Sequence, residues 1–452
     1  MLKVFTSFTG IGSQEMALKN IGVDFTMVGI SEVDRYALLA YDAIHNDQTL
    51  DFVYPSKEEM LKEFDDKHIA YNFSTNESEI PKNIEDIKKL YRAHINSKNF
   101  GDIRLIDEKK LPDFDFFSYS FPCKNISVAG RGEGLKKGSE TQSSLVWECE
   151  RIIKEKKPKY LLMENVKNIV GQNNIKFFKL WIGVLTEMGY TSYWKVLNGK
   201  DYGVPQNRER VMMISINDSV NIGYTFPKKM ELNKKLKDVL EPNVDEKYFI
   251  DDDKVKEILE NFNLKGKVNS VPLRYLKRNQ VNCPEDYSMC VDTTNTNGIA
   301  IQENDDASLV LPNQDISYCI DANYYKGGSG GAVKSFVEKN RRQLVQVGNM
   351  EGEEYYTKRV YDPIGISPAL TSMGGGDRQP KIFNKTRVRR LTPLECWRLM
   401  GYKDEDYYKA KDIGGLSETK LYERAGRGIV VPMLEKLFEN LFMKQIKGSE
   451  LF

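Results

Sequence analysis

A cysteine directly follows a predicted strand. Residues 116 to 121 form a mostly aromatic run of strand length that stops at Pro122, and Cys123 then opens a polar loop that contains glycine and basic residues. A thiol at the end of a strand, next to cations that can hold phosphates, suits nucleophilic attack on an electrophilic substrate. Free cysteines are also among the most buried residues of protein cores, so Cys123 by itself leaves a purely structural role open.

A carboxylate lies near the end of another predicted strand. Residues 160 to 166 indicate a buried strand that ends in Glu164-Asn165-Val166. A buried charge needs a partner, and the ligands of open α/β sheets gather at the carboxyl ends of the strands. We therefore expect Glu164 to face the same crevice as Cys123, although a structural salt bridge would also explain it.

Two arginines alternate along an extended segment. Arg208 and Arg210 precede a predicted strand at 211 to 214. Side chains two residues apart in extended backbone point to the same side, as a clamp on a phosphate or a base carbonyl requires. Ion pairs with Glu209 or with other nearby acids are the alternative.

The N-terminal residues have the pattern of a nucleotide-binding turn. A predicted strand at 2 to 6 leads into Phe8-Thr9-Gly10-Ile11-Gly12 and a predicted helix at 14 to 19. The backbone N–H groups of a glycine turn and of a helix N-terminus can bind a ligand. An ordinary tight turn has the same sequence pattern.

Two acidic residues are candidates for contacts with a nucleoside. Glu32 follows the second predicted strand, 25 to 31, where a carboxylate can accept hydrogen bonds from ribose hydroxyls. Asp34 is expected to cap the helix at 36 to 44, which makes Glu32 the better ligand. Asp102 is expected either to form a turn or to accept a hydrogen bond from an adenine amino group.

Composition limits the class of protein. The 452 residues are 40% hydrophobic, which allows two domains. The net charge of +1 gives no overall nucleic-acid-binding character, so an anionic partner must meet local patches. Six cysteines without paired spacing and three histidines predict neither a disulfide framework nor a zinc site. No signal peptide or membrane span is predicted, and a reducing, cytoplasmic setting fits best.

The chain changes character near residue 221. Before it, strands and helices alternate, interrupted by an insertion at about 46 to 100 whose charged run is most simply a solvated face. From 221 to 385, short polar and β-prone pieces indicate a second domain. Its basic stretch at 264 to 280 suits either a nucleic-acid groove or solvated loops.

The motifs, taken in order, resemble those of the DNA cytosine-5 methyltransferases of bacterial restriction-modification type. Each motif alone is weak, whereas the ordered set is highly specific. The matching stretches are Phe8-x-Gly10-x-Gly12, Glu32, Asp102, Phe121-Pro122-Cys123, Glu164-Asn165-Val166, Gln206-x-Arg208-x-Arg210, Arg390-Leu391-Thr392-Pro393-x-Glu395 and the turn at 425 to 428.

The resemblance implies an α/β fold. We expect a Rossmann-like S-adenosylmethionine-dependent methyltransferase domain with a second, smaller, mostly β or irregular target-recognition domain. Residues 1–220 would form the catalytic and cofactor-binding domain, completed by a C-terminal helix at about 425–452. Residues 221–424 would form the target-recognition domain, with 387–403 as the bridging motif.

The resemblance also implies a reaction and its site. A methyl group would pass from S-adenosylmethionine to carbon 5 of a cytosine flipped out of a specific double-stranded DNA sequence, leaving S-adenosylhomocysteine, without a metal. Cys123 would attack carbon 6, Glu164 would hold the ring nitrogen and the amino group, and Arg210 would contact the ring carbonyl, with Arg208 completing the catalytic set. The implied cofactor-binding residues are Phe8, Gly10, Gly12, Glu32, Val33, Asp102 and Ile103. The predicted DNA contacts are Lys124, Ser127, Arg131, Lys136, Lys137, Arg274, Lys277 and Arg278.

The implied partner is double-stranded DNA. The resemblance leaves two alternatives open, a solitary enzyme or one paired with a cognate restriction endonuclease that acts on the same site. A monomer is expected, in the cytoplasm of a prokaryote or of a phage host and associated with the nucleoid. The recognition sequence cannot be deduced from the residues, because base contacts depend on loop geometry.

The sequence departs from the family pattern at two places. Lys124 replaces the usual glutamine after the Pro-Cys pair, and Arg427-Gly428 replaces the usual Asn-Ser. Lys124 could activate the thiol or contact a phosphate, whereas Arg427-Gly428 could alter cofactor affinity. A catalytically altered DNA-binding protein of the same fold is therefore kept as an alternative. An RNA cytosine methyltransferase is a second alternative, because it would share all of this chemistry and differ only in its substrate.

Overall fold

The computed structural model describes most of the N-terminal half and the C-terminal region of the chain. The described residues are 1–49, 51–72, 77–122, 142–220, 222–250, 269–272, 297–300, 346–349, 359–361, 363, 365–370, 379–384 and 387–443. The chain divides into two compact units. The first is made of Met1–Asn233, Ala369–Gly375 and Cys396–Phe452, and the second of Lys234–Pro368 and Gly376–Glu395.

A six-stranded sheet with the strand order β2-β1-β5-β6-β9-β7 forms the centre of the first unit. Strands β2, β1, β5 and β6 are parallel, and β9 is antiparallel to both of its neighbours. The bounds are β1 Leu2–Ser7, β2 Phe25–Ser31, β5 Phe116–Tyr119, β6 Tyr160–Val166, β7 Tyr190–Asn198 and β9 Glu209–Asn217. Shorter strands are β3 Tyr71–Asn72, β4 Glu77–Ser78 and β8 Gln206–Asn207. The predicted α/β, Rossmann-like class is confirmed.

The helices of the first unit are α1 Ser13–Asn20, α2 Arg35–His45, α3 Lys57–Asp66, α4 Ile84–Asn96, α5 Val146–Lys156 and α6 Ile175–Glu187, followed by Asp404–Tyr408, Glu418–Arg427 and Val431–Phe438. Helices α1 and α2 begin and end within one residue of the predicted 14 to 19 and 36 to 44. The main core lies between the sheet and α5 and α6, where Phe117, Cys149 and Trp181 are buried. Cys149 is thus a core thiol on the buried face of α5, which it shares with Val146 and Ile153. No helix in the described ranges is both long and apolar enough to cross a membrane.

The insertion is an integral layer of the first unit. Its charged run forms α3, which starts at a capping box between Ser56 and Glu59 and buries Met60 and Phe64. These two side chains pack with Ile30 of β2 in a second apolar cluster. The run is therefore solvated on only one face, because the other face covers the edge of the sheet.

The second unit is largely β-structure in its described residues, as expected. A five-stranded sheet has the order β10-β17-β16-β14-β13, and β11 pairs with β12. The bounds are β10 Phe249–Ile250, β11 Asn269–Pro272, β12 Asn297–Ala300, β13 Gln346–Asn349, β14 Arg359–Tyr361, β15 Ser367–Pro368, β16 Lys381–Asn384 and β17 Arg387–Arg390. The capping box between Thr392 and Glu395 is also present, because the Thr392 N–H donates to Glu395 at 2.8 Å and the Glu395 N–H donates to Thr392 Oγ1 at 3.2 Å. The helix Pro393–Met400 follows it.

The unit boundaries differ from the expected ones. The chain returns to the first unit at Cys396 rather than near 425. Trp397 is fully buried and donates its indole N–H to the Leu421 carbonyl at 2.9 Å. Tyr402 forms a buried 2.8 Å hydrogen bond with Ser13 of α1. These contacts between distant residues, which local sequence patterns do not reveal, place 396–424 with the N-terminal sheet.

Candidate active site

The carboxyl ends of the four parallel strands form one row of residues. The strand register aligns Ser31, Ser7, Tyr119 and Met163. The residues that come next along the chain are Glu32, Phe8, Ser120 and Glu164. Two carboxylates, the glycine turn and the segment that leads to Cys123 therefore meet at one edge of the sheet, as the sequence predicts.

The approach to Cys123 is held by an asparagine. Cys123 itself lies outside the described residues, but Phe121 just before it is buried. The Asn165 side-chain amide donates a 3.0 Å hydrogen bond to the Phe121 carbonyl, and its oxygen accepts the Val166 N–H at 2.9 Å. Asn165 belongs to the motif Glu164-Asn165-Val166, but the sequence indicates no role for it. The signal available in the sequence was an amide residue directly after the carboxylate near the end of a predicted buried strand.

Glu164 and Arg210 form an ion pair at this edge. In the antiparallel pairing of β6 and β9, Val166 lies opposite Arg210 and Glu164 lies opposite Met212. Glu164 and Arg210 are thus diagonal neighbours on one face, with Arg210 Nε 3.1 Å from Glu164 Oε1. Their side chains are only 11% and 15% exposed, respectively. Glu164 therefore does form a salt bridge, and its partner, Arg210, also belongs to the predicted catalytic set.

Arg208 does not join Arg210 in a clamp, so that prediction is wrong. The Arg208 guanidinium is buried and donates to the backbone carbonyls of Leu370 at 2.6 Å, Gly426 at 2.8 Å and Gly428 at 2.9 Å. The two side chains do not alternate along one strand, because β9 begins only at Glu209, one residue after Arg208. Residues 425 to 427, expected in a turn, are the last residues of the helix Glu418–Arg427, and Arg208 is a positioning residue that binds carbonyls at the end of this helix.

The glycine turn and Glu32 are joined by hydrogen bonds. The Gly10 N–H donates to Glu32 Oε2 at 2.8 Å, and the Val33 and Asp34 N–H groups donate to Oε1 at 2.9 Å. Burial raises the pKa of Glu32, and the nearby charge of Asp34 raises it further. A carboxylate can accept about four hydrogen bonds. These three therefore leave Oε2 able to accept one more, from a hydroxyl group.

The two glycines serve different purposes. Both have positive φ, +60° at Gly10 and +75° at Gly12. A side chain at Gly10 would meet no described atom within 4 Å, so the turn borders open space there. At Gly12 a Cβ would lie 2.4 Å from the His45 ring, so that position requires glycine for packing against α2. Phe8 also has positive φ, +57°.

Asp102 is buried and already surrounded by donors. Arg104 donates to it from the backbone at 3.1 Å and from Nη2 at 2.6 Å, and His68 Nδ1 lies 2.9 Å from Oδ2. Burial opposes ionisation, but the hydrogen bonds from Arg104 and His68 outweigh it and lower the pKa of Asp102. A ligand amino group would therefore have to replace one of these donors. The adjacent Ile103 is a buried member of the main core.

Asp34 caps α2, as predicted, and also binds two arginines of the helix Glu418–Arg427. Its Oδ1 accepts the Tyr36 and Ala37 N–H groups, at 2.9 and 3.1 Å. Its Oδ2 accepts Arg424 at 2.9 Å and Arg427 at 3.1 Å. Burial of Asp34 opposes ionisation, but the two guanidinium groups outweigh it and lower its pKa to about 2. Arg427, which departs from the family pattern, is thus one of two arginines that pair with Asp34. Asp34 is two residues after Glu32 in the sequence.

Several predicted contacts fall outside the described residues. These are Cys123, Lys124, Ser127, Arg131, Lys136, Lys137, Arg274, Lys277 and Arg278. Within the described ranges, no group of three or more His, Cys, Asp or Glu side chains is placed to hold a metal ion.

Comparison with known proteins gives one family. The family profile of the C-5 cytosine-specific DNA methylases matches residues 77–443. The type II methyltransferase M2.ScrFI of Lactococcus lactis subsp. cremoris is 40% identical over 98% of this chain and 100% of its own length. The orphan methyltransferase M.SPRI of Bacillus phage SPR is 29% identical over 99% of both chains.

A solved structure shares the fold. The S. pombe Dnmt2 methyltransferase superposes with a TM-score of 0.51 over 98% of this chain and 99% of its own, at 13% identity. By the extent of the family match and the full-length identity to M2.ScrFI, the chain belongs to the C-5 cytosine-specific DNA methylase family of enzymes.

Proposed function

We propose that this enzyme transfers a methyl group from S-adenosylmethionine to carbon 5 of a cytosine rotated out of a specific double-stranded DNA sequence, through a covalent adduct with Cys123. The observation that carries the proposal is the Glu164–Arg210 pair at the sheet edge where β5 leads to Cys123. One acidic and one cationic group there match the donors and acceptors along one side of a cytosine ring.

The chain's own residues divide one difficult alkylation into easier steps. The Cys123 thiolate forms a bond to carbon 6, which moves electron density to carbon 5. Glu164 holds the ring nitrogen and amino group, and Arg210 contacts the ring carbonyl, so both stabilise charge as it develops. After carbon 5 is methylated, loss of its proton returns electrons to the ring, the sulfur–carbon 6 bond breaks and the thiolate leaves.

The cofactor supplies an electrophilic methyl group when bound, and the glycine turn fits it. Open space at Gly10 and the remaining acceptor position of Glu32 suit a ribose. Asp102 would accept the adenine amino group after exchanging a donor. Phe8, Gly12, Val33 and Ile103 would complete this site around the turn.

We assign DNA binding to the loop after Cys123 and to the second unit. Lys124, Ser127, Arg131, Lys136 and Lys137 would contact phosphates or bases from the loop. Lys234–Pro368 and Gly376–Glu395 would form the target-recognition domain, with Arg274, Lys277 and Arg278 on DNA. Bacterial or phage DNA is the proposed substrate. A cognate endonuclease is an optional partner, since type II and orphan methyltransferases are both among the relatives.

A non-catalytic DNA-binding protein is the second candidate, because Arg427-Gly428 departs from the family pattern. The ion pair between Arg427 and Asp34 at 3.1 Å weakens that argument, since it gives the unexpected cation a partner at the cofactor edge. The departure at Arg427-Gly428 therefore gives no ground for excluding cofactor binding.

Incubation of the purified protein with labelled S-adenosylmethionine and double-stranded DNA, single-stranded DNA or RNA tests the proposal. Label at carbon 5 of cytosine in one sequence of duplex DNA is expected, and a Cys123→Ala variant should give none. Absence of label in every DNA context would overturn the proposal. Preferential labelling of RNA would identify RNA, rather than duplex DNA, as the substrate.

A further inference from the structure

The insertion contacts both loops to which the cofactor is assigned. The Ala70 N–H donates to the Val33 carbonyl at 2.8 Å, next to Glu32. The Asp102 N–H donates to the Lys67 carbonyl at 2.9 Å. A four-residue turn between α3 and β3, 67–70, is thus hydrogen-bonded to the ribose side and to the adenine side of the proposed site.

Packing holds the turn at 67–70 in place, although two of its residues have unfavourable backbone angles. His68 and Ala70 have φ values of +53° and +59°, a region that residues with a side chain seldom adopt. Ile69 and Ala70 are buried in the apolar cluster that includes Ile30, which holds the strained turn in place. Such strain persists only where the surroundings over-determine it, and it concentrates at functional sites.

The approach of the turn to Asp102 is close enough to restrict the neighbouring residue. A Cβ at Gly101 would lie 2.3 Å from the Lys67 carbonyl oxygen, and Gly101 has φ of +74°. His68 Nδ1 lies 2.9 Å from Asp102 Oδ2, whose side chain is only 3% exposed. The His68 ring stacks on Tyr71 with a centroid distance of 5.1 Å and an interplanar angle of 22°.

We propose that the insertion forms one wall of the cofactor site and that His68 is a positioning residue for Asp102. This inference rests on the proposed function, which assigns Asp102 to the adenine. Arg104 and His68 are similarly exposed, at 41% and 36%, but His68 lies beside the buried Ile69 and its ring stacks on Tyr71. His68 is thus the better fixed of the two donors and keeps the carboxylate oriented when a ligand displaces a bond from Arg104. Orienting a binding group in advance increases affinity, because less ordering remains to be done on binding.

Two substitutions at His68 test the role. His68→Gly removes the donor, and His68→Asn keeps a side-chain N–H donor; both replacement residues tolerate a positive φ. Titration calorimetry with S-adenosylhomocysteine, without DNA, should show about ten-fold weaker binding for His68→Gly, the equivalent of one hydrogen bond to a charged group. Most of the affinity should return in His68→Asn, and kcat at saturating S-adenosylmethionine should stay within about two-fold in both variants.

A second histidine of the insertion provides the control. His94 of α4 is buried and lies 3.2 Å from Glu63 of α3, so His94→Asn should lower the melting temperature without weakening cofactor binding. Equal weakening in His94→Asn and His68→Gly would overturn the inference, because insertion stability would then explain both. Wild-type affinity in His68→Gly, with an active wild-type enzyme, would overturn the inference alone. Failure of the wild-type protein to bind S-adenosylhomocysteine or S-adenosylmethionine would overturn it together with the proposed cofactor.

Discussion

Glu164 of β6 and Arg210 of β9 meet at 3.1 Å across two antiparallel strands. The two residues are 46 positions apart in the sequence. The pairing of β6 with β9 makes them diagonal neighbours. Each lies at the sheet edge where β5 ends at Tyr119, four residues before Cys123 in the sequence. In the proposed reaction the pair offers one acceptor and one donor to the cytosine ring.

Glu164→Gln should abolish most activity while preserving the fold. The amide keeps an acceptor for Arg210 but loses the negative charge that stabilises the protonated ring, so kcat should fall roughly 100-fold or more. The free energy of unfolding should fall by about 1 to 3 kcal/mol, because the amide still accepts from Arg210 but no longer neutralises its largely buried charge. Steady-state methylation kinetics and urea unfolding measure the two quantities. Wild-type kcat in this variant would exclude Glu164 from the chemistry.

The two arginines should separate stability from activity. Arg208→Met leaves buried carbonyls without donors and should lower the free energy of unfolding by about 3 kcal/mol or more. Arg210→Met should lower kcat strongly with a smaller change in stability, because Arg210 is proposed to contact the base. Urea unfolding and kinetics on both variants give the comparison. A stable, inactive Arg208→Met protein would return Arg208 to the catalytic set.

Asn165 should control the position of the nucleophile. Asn165→Asp keeps the acceptor for Val166 but presents a carboxylate to the Phe121 carbonyl, and Asn165→Ala removes the donor without adding charge. Because displacement of the strand end misplaces Cys123, kcat should fall roughly ten- to 100-fold in both variants, with KM for DNA little changed. Unchanged kcat in Asn165→Ala would show that the Asn165–Phe121 hydrogen bond is dispensable.

The ion pairs of Asp34 should make stability depend on pH. The folded-state pKa of about 2 lies below the ordinary value of 3.8, so ionised Asp34 stabilises the fold by about 2 kcal/mol above pH 4. That contribution should disappear as the pH falls from about 4 to about 2. The substitution Asp34→Asn keeps a side-chain oxygen that can cap α2 but leaves no charge for Arg424 and Arg427.

Unfolding of the wild-type and Asp34→Asn proteins at several acidic pH values measures this contribution. The difference in unfolding free energy should be largest at neutral pH and shrink on acidification. A difference that stays constant below pH 4 would mean that the lost charge is not its cause.

Local patterns predicted the elements that carry the site. Apolar runs and caps, such as Asp34 at α2 and Thr392 with Glu395, depend on residues a few positions apart and can be recognised in the sequence. The row of strand ends that contains Glu32 and Glu164 follows from the general topology of parallel sheets.

The partners of several side chains depend on contacts that local patterns do not specify. Arg208 binds the carbonyls of Gly426 and Gly428, and Arg427 pairs with Asp34. His68, in an insertion without a recognisable motif, lies against Asp102. Tertiary packing sets these distances, so charge and periodicity near each residue cannot predict them.

The central claim is a covalent bond between Cys123 and carbon 6 of cytosine. Duplex DNA with 5-fluorocytosine at the methylated position tests it most directly. Carbon 5 then carries fluorine in place of the proton whose loss would expel the thiolate, so the methylated adduct persists. Mass spectrometry of the protein incubated with this DNA and S-adenosylmethionine should find the methylated nucleotide attached to the peptide that contains Cys123. Active enzyme that forms no adduct, or an adduct on another residue, would contradict the account.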